Sequence, residues 1–201
     1  MAKRINLTRP ELKRQRDILA RFQRYLPMLK LKQQLLQVGL RDTDTRIEQI
    51  KEKYSALENI FSSYVQVLNE PAGVPFNQLA TPSQVNVGNE NIAGVEVPVY
   101  EGVRFDEAQY SLFATPPWLD RALADRRSLT ELNSELEVLR MRRAVLAREL
   151  ARALQRVNLF EKVRIPEALE AIRRIRIQLG DEMSAAVGRA KIAKERLISS
   201  V

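Results

Sequence analysis

The sequence predicts a mainly α-helical protein: a long antiparallel two-helix coiled coil, made by the N- and C-terminal helices, with a small central head containing a short β-hairpin. Three observations predict it. The two flanks carry apolar stripes in heptad phase, whereas proline and glycine gather in the middle. Six of nine prolines and four of seven glycines lie between Pro71 and Pro117. Charge divides the same way. Residues 1–70 hold 14 basic and 8 acidic side chains, residues 118–201 hold 18 and 12, and the middle holds one base, Arg104, against five acids. The expected divisions are therefore 1–70, 71–117 and 118–201.

The first flank sets the pattern. Stepping alternately by three and four residues from Leu12 to Leu68 meets an apolar residue at all but Gln15, Gln33 and Thr43. This seam includes Leu19, Phe22, Leu26, Leu29, Ile47, Ile50, Tyr54, Leu57, Phe61 and Tyr64. A 3.5-residue repeat keeps one stripe facing a partner helix, which is the requirement of a coiled coil. At 1.5 Å per residue such a helix is about 85 Å long. Thr8-Arg9-Pro10-Glu11 reads as its capping box, with Thr8 as N-cap and Glu11 reaching back. Pro27 removes one backbone donor, so a local bend is expected there. Gly39 is a second soft point.

In the middle, Val95-Glu96-Val97-Pro98-Val99 alternates, and Val103-Arg104-Phe105 follows. Val85-Asn86-Val87 is the expected partner strand, with Gly88-Asn89 as the turn. The head, roughly 85–105, is expected to face partners through Val85, Val87, Asn91, Gly94, Val95, Val97 and Pro98.

The second flank repeats the first. Leu129, Leu132, Leu136, Leu139, Leu146, Leu150, Ala153, Val157 and Phe160 share one phase, interrupted only by Arg143. Near Pro166 the stripe slips by about one residue and resumes through Ile165, Leu169, Ile172, Ile175 and Leu179. It then narrows to Met183, Ala186, Ala190, Ala193 and Leu197, which predicts closer helix approach towards the C-terminus. Neither stripe can stay in water, since a helix this apolar on one face needs a partner. Pairing of the two flanks within one chain is preferred, with pairing between two copies as the alternative.

Composition narrows the chemistry. The chain has 201 residues, a net charge of +8, and neither His nor Cys. That excludes a Ser-His-Asp triad, a Cys nucleophile, a thiolate zinc site and disulfides. No phosphate loop and no GxGxxG is present. Acid pairs such as Asp42/Asp44 and Asp181/Glu182 sit among arginines and read as solvated faces with i,i+4 ion pairs. No catalytic residue, cofactor or metal ligand is expected. Arg140-Met141-Arg142-Arg143 and Arg173-Arg174-Ile175-Arg176 invite a nucleic-acid reading, but interleaved acids and the lack of aromatic platforms favour a soluble mixed-charge surface. No run of 18 apolar residues exists and no signal peptide opens the chain, so no membrane insertion is expected.

With these elements in place, Arg156-Val157-Asn158-Leu159-Phe160-Glu161-Lys162-Val163-Arg164-Ile165-Pro166 resembles the R-V-N-x-x-E-x-x-x-I-P signature of the D subunit of V-type ATPases and ATP synthases. Three further segments agree in order. Leu29-Lys30-Leu31-Lys32 is similar to an L-K-x-K, Asn91-Ile92-Ala93-Gly94-Val95…Pro98 to an N-I-x-G-V-x-x-P, and Thr115-Pro116…Leu119-Asp120 to a T-P-x-x-L-D. Together they run from about residue 8 to 183. The resemblance implies a non-catalytic central rotor shaft that couples ATP synthesis or hydrolysis to proton or sodium transport. Its implied partners are a catalytic hexamer of nucleotide-binding subunits, the small F subunit and a membrane-ring adaptor, with no nucleic acid. The implied location is cytoplasmic, peripheral on the inner face of the membrane. A prefoldin-like chaperone and a basic coiled-coil nucleic-acid binder are the alternatives from other classes.

Overall fold

The computed structural model describes residues 6–64, 74–107, 110–111 and 115–199. Its elements are α1 (Arg9–Tyr64), a one-turn α2 (Phe76–Leu79), β1 (Gln84–Ile92), β2 (Val95–Arg104), α3 (Leu119–Asn158), a π-helical segment (Leu159–Arg164) and α4 (Ile165–Ser199). The chain is mainly helical, with two long helical arms and one antiparallel hairpin between them. It forms two compact units. One combines Met1–Lys32 with Arg152–Val201, and the other is Gln33–Ala151.

In both units the arms pair within the chain. In the first, Lys30 lies beside Glu161, Phe22 stacks on Phe160 with ring centres 5.1 Å apart, and Leu19 lies near Ile172. In the second, Asp44 meets Arg143, Arg46 meets Glu135 and Tyr64 meets Asp125. From Leu19 beside Ile172 to Lys30 beside Glu161 in the first unit, and from Asp44 beside Arg143 to Tyr64 beside Asp125 in the second, residue numbers rise on one arm as they fall on the other, so the pairing is antiparallel. Every described position of the first stripe, from Leu12 to Tyr64, is buried or half-buried. Leu68 lies outside the described residues. On the facing arm Leu129, Leu136, Leu139, Leu146, Ala153 and Val157 are buried, and Leu132, Leu150 and Phe160 are half-buried. Leu36, Leu146 and Ile175 are fully enclosed, each contributing about 1.5–3 kcal/mol relative to an exposed side chain. The polar seam residue Thr43 is buried too, and its hydroxyl is satisfied by donating to the Gly39 carbonyl at 2.7 Å.

The slip near Pro166 has a structural cause. Residues Leu159–Arg164 form a π-helix, closed by a bond from the Ile165 N–H to the Phe160 carbonyl five residues back. A π turn holds one residue more than an α turn. The buried face therefore passes from Ala153, Val157 and Phe160 to Ile165, Ala168, Ile172, Ile175 and Leu179. Ala168 takes the place expected for Leu169, which is 50% exposed.

Other details differ from expectation. At the start of α1 the Leu12 N–H bonds the Thr8 carbonyl, but Glu11 does not close a capping box. Its carboxylate instead accepts from Gln15 at 2.7 Å and from Arg14, because the i+4 amide offers a helical partner. α1 continues as helix through Pro27. The alanine stripe of α4 meets no helix: residues 181–196 are all exposed. α1 begins at Arg9, and among the described residues of this unit none covers them. Small residues there reflect an uncovered helix, not a close approach. The side chains of Leu197 and Ser199, and residues 200–201, lie outside the described residues.

Gly39 faces the hairpin. A Cβ there would sit 3.5 Å from two carbons of Ile92 and 3.9 Å from Leu146, ordinary contact distances. Gly39→Ala is therefore expected to stabilise the protein by about 1 kcal/mol, because alanine removes the glycine penalty in a helix. Denaturant melts followed by circular dichroism check this, and a lower midpoint would show that the hairpin tip cannot give.

Candidate functional site

The head is built on an antiparallel hairpin whose register pairs Ile92 with Val95, Glu90 with Val97, Asn89 with Pro98 and Val85 with Val103. The reversal falls at Ala93-Gly94, not at the expected Gly88-Asn89. Ala93 and Gly94 have φ of 52° and 76°, the left-handed pair that a two-residue turn requires. The Asn91 side chain accepts from the Gly94 N–H at 2.8 Å and fixes the turn. Gly88 sits mid-strand, where the Glu101 carboxylate lies over it, so an added Cβ would have to displace that side chain. Glu101 itself is the extra residue of a bulge, since Val87 pairs with Tyr100 and Asn86 with Gly102. Pro98 is tolerated because a two-stranded sheet leaves each strand one unpaired edge.

Within this unit three sets of contacts hold the head to the helices. Val95 and Val97 are buried, at 8% and 0% exposure, and Ile92 covers Gly39. The expectation that Val95 and Val97 face a partner is thereby corrected: alternation put them on the inward side. Glu90 pairs with Arg142 at 2.8 Å, and the Tyr100 hydroxyl donates to Glu131 at 3.4 Å. Arg127 of α3 donates to the Leu79 carbonyl at 3.0 Å and to the Asp106 carbonyl at 2.8 Å, with its guanidinium over the Phe105 ring at 5.1 Å. Sequence reading missed Arg127, because its partners lie 48 and 21 residues away and no periodicity links them.

Hairpin and helices enclose an open cleft of about 290 Å³, lined by Asp42, Arg46, Glu90, Tyr100, Glu135 and Arg142 among others. Its charges answer one another: Arg46 pairs with Glu135 at 3.0 Å, as Arg142 does with Glu90. Burial, with the neighbouring Glu131 charge, pushes the Tyr100 phenol up to about 12. Burial and the hydrogen bond to Asp125 push Tyr64 to about 12 as well. Both phenols stay neutral and act as donors. Their folded values lie above the ordinary 10.0, so the stability they contribute is complete below about pH 10 and is lost as pH rises towards 12. Melting temperature should fall across that window, and Tyr64→Phe with Tyr100→Phe should flatten the fall. An equal fall in the double variant would contradict this. Among the described residues no group of three acids is placed to hold a metal ion, and no helix is long and apolar enough to cross a membrane. The arrangement holds the hairpin in place and leaves its outer surface open. Val85 and Val87 are 38% and 45% exposed there.

The four sequence segments each find a place. Lys30 of Leu29-Lys30-Leu31-Lys32 pairs with Glu161 of the Arg156–Pro166 segment at 2.9 Å. Within that segment Val157 is buried and Ile165 half-buried on the seam, Arg156, Asn158 and Pro166 are exposed, and Glu161 belongs to the π turn. Asn91 and Gly94 make the hairpin reversal. Thr115-Pro116…Leu119-Asp120 opens α3, where the Leu119 N–H bonds the Pro116 carbonyl, Leu119 is fully buried and Asp120 accepts from Tyr110 at 2.6 Å.

The sequence profile of the ATP synthase D-subunit family matches residues 11–195. The chain belongs to the ATP synthase D-subunit family. It is 35% identical over 195 residues to the V-type ATP synthase D subunit of Borreliella burgdorferi, covering 97% of this chain and 96% of that one. It is 35% identical to its counterpart in Chlamydia felis, over 98% and 95% of the two chains, and 34% identical to that of Chlamydia pneumoniae over the same shares. Family membership displaces the prefoldin-like reading. The arginine clusters also lose force as a nucleic-acid site, since Arg142, Arg143 and Arg174 are engaged by Glu90, Asp44 and Glu170.

Proposed function

We propose that this chain is the non-catalytic central rotor shaft of a V-type ATP synthase or ATPase. It couples ATP synthesis or hydrolysis in a hexamer of nucleotide-binding subunits to proton or sodium transport. Membership of the D-subunit family carries the reading, and the physics of the two arms supports it. Transmitting torque needs stiffness, and paired helices that bury an apolar seam within each unit supply it. Turning past three equivalent surfaces without a deep energy minimum favours an exposed face of mixed charge over large apolar patches. On this reading the chain works in three parts, 1–70 and 118–201 as the shaft and 71–117 as the head. The head meets the small F subunit and the adaptor on the membrane ring, and the complex sits peripherally on the cytoplasmic face.

The test is co-purification. Tagged chain should bring down two large nucleotide-binding subunits in excess over itself, together with a small globular partner; recovery of the chain alone would refute the reading. Val85 and Val87 are the proposed contacts of the head. Val85→Asp with Val87→Asp should leave stability within about 0.5 kcal/mol, as exposed substitutions do, yet reduce recovery of the small partner. Full recovery would remove these valines from the interface.

A further inference from the structure

The last part of α4 presents an apolar face that the described part of the chain leaves bare. Residues 181–196 are all exposed, yet they continue α4 as regular helix. Met183, Ala186, Val187, Ala190 and Ala193 recur at the three- and four-residue spacing that gathers side chains on one side of a helix. Met183 and Val187 are 60% and 68% exposed. Single apolar residues on a surface need no explanation, but a stripe of them along one helix marks a contact.

Charge along the same run is divided end to end. Residues 181–188 carry two acids, Asp181 and Glu182, and no base, whereas residues 189–196 carry four bases and one acid. Glu182 accepts from the neutral amide of Gln178 at 3.3 Å. Among the described residues neither it nor Asp181, Lys191 or Lys194 has an ion-pair partner. The division is self-complementary in one orientation only. Two copies laid antiparallel about a two-fold axis set the acidic half of each against the basic half of the other. Laid parallel, the same stripes bring basic half against basic half. Charges that flank an apolar seam decide which helices pair and in which direction.

We propose that in the free chain this face pairs with the same face of a second copy, as a short antiparallel helix pair centred near Gly188. The pairing covers the stripe while the chain is alone. It goes beyond the rotor-shaft reading and does not depend on it. A contact this short lies at the small end of interface sizes, so the dissociation constant should be on the order of 10–100 µM.

Sedimentation velocity of the full-length chain across a concentration series, at low and high salt, reads the pairing. The unaltered chain should pass from monomer to dimer, and salt should weaken the dimer. Asp181→Lys/Glu182→Lys should weaken it about tenfold or more, as should Lys191→Glu/Lys194→Glu, while an equimolar mixture of the two variants should pair again. All four substituted side chains are exposed, so both variants should keep the fold, which circular dichroism melts establish. The chain has no cysteine, so disulfide cross-linking reads the orientation. Ala186→Cys mixed with Ala190→Cys should link faster than either variant with itself. A monomer at every concentration would overturn the inference. So would a dimer that both charge variants leave intact, since it would lie on another face. Faster linkage of Ala186→Cys with itself would overturn it by making the pair parallel. Duplex DNA that sediments with a monomeric chain, and is lost in Lys191→Glu/Lys194→Glu, would overturn it by assigning the face to nucleic acid. Each of these results leaves the rotor reading to its own co-purification test.

Discussion

Leu139→Asp is expected to destabilise the paired helices by about 4 kcal/mol or more, enough to shift their unfolding midpoint far below that of the unaltered chain. Leu139 is 7% exposed in a cluster with Ile47, Ile50 and Leu136, and Leu132 packs against it. Removing its methyl groups alone costs about 2–5 kcal/mol, and a carboxylate adds the penalty of burying a charge without a partner. The cations one turn further on are already engaged, Arg142 by Glu90 and Arg143 by Asp44. Leu139→Met, which conserves volume, should cost less than about 1.5 kcal/mol. Urea melts followed by far-ultraviolet circular dichroism read both. Similar midpoints for the two variants would contradict a seam at this position.

Deletion and insertion at Val163 should have opposite outcomes. The π segment Leu159–Arg164 carries one residue beyond an α-helical count. Deleting Val163, which is 40% exposed, lets the segment close as α-helix. Ile165, Ala168, Ile172 and Ile175 then remain in phase with Val157 and Phe160, and the midpoint should move little. Inserting an alanine after Val163 instead rotates α4 by about 100°. That turns Ile172 and Ile175 out of the seam at about 1.5–3 kcal/mol each. The insertion should therefore melt far earlier than the deletion. Equal melting of the two would show that the π turn does not set the phase of α4.

Much of the architecture was legible because it is written in period. An apolar residue at every third or fourth position from Leu12 to Tyr64 needs no tertiary information, and the slip at Pro166 was visible as a broken count. Its mechanism was not, since a π turn leaves no residue signature apart from that slip. The hairpin strands were visible, but the reversal was misplaced: Gly88-Asn89 has turn composition, whereas Ala93 in a left-handed conformation is an exception that no propensity favours. Inward and outward faces of the head were not separable either, because Val85, Val87, Val95 and Val97 are the same residue in the same alternation. Only the docked helices decide that Val97 is enclosed and Val87 is not. The alanine stripe beyond Gly180 misled for a related reason: small residues permit a close approach but do not supply a partner.

A rotor shaft must rotate, and rotation can be watched on single complexes. The chain has no cysteine, so Asn89→Cys, on the exposed face of the hairpin, gives a single attachment point for a bead. With the nucleotide-binding hexamer fixed to a surface and ATP supplied, the rotor-shaft function requires the bead to turn in one direction with three equally spaced dwells per revolution. A bead that stays fixed while the same complexes hydrolyse ATP would contradict it.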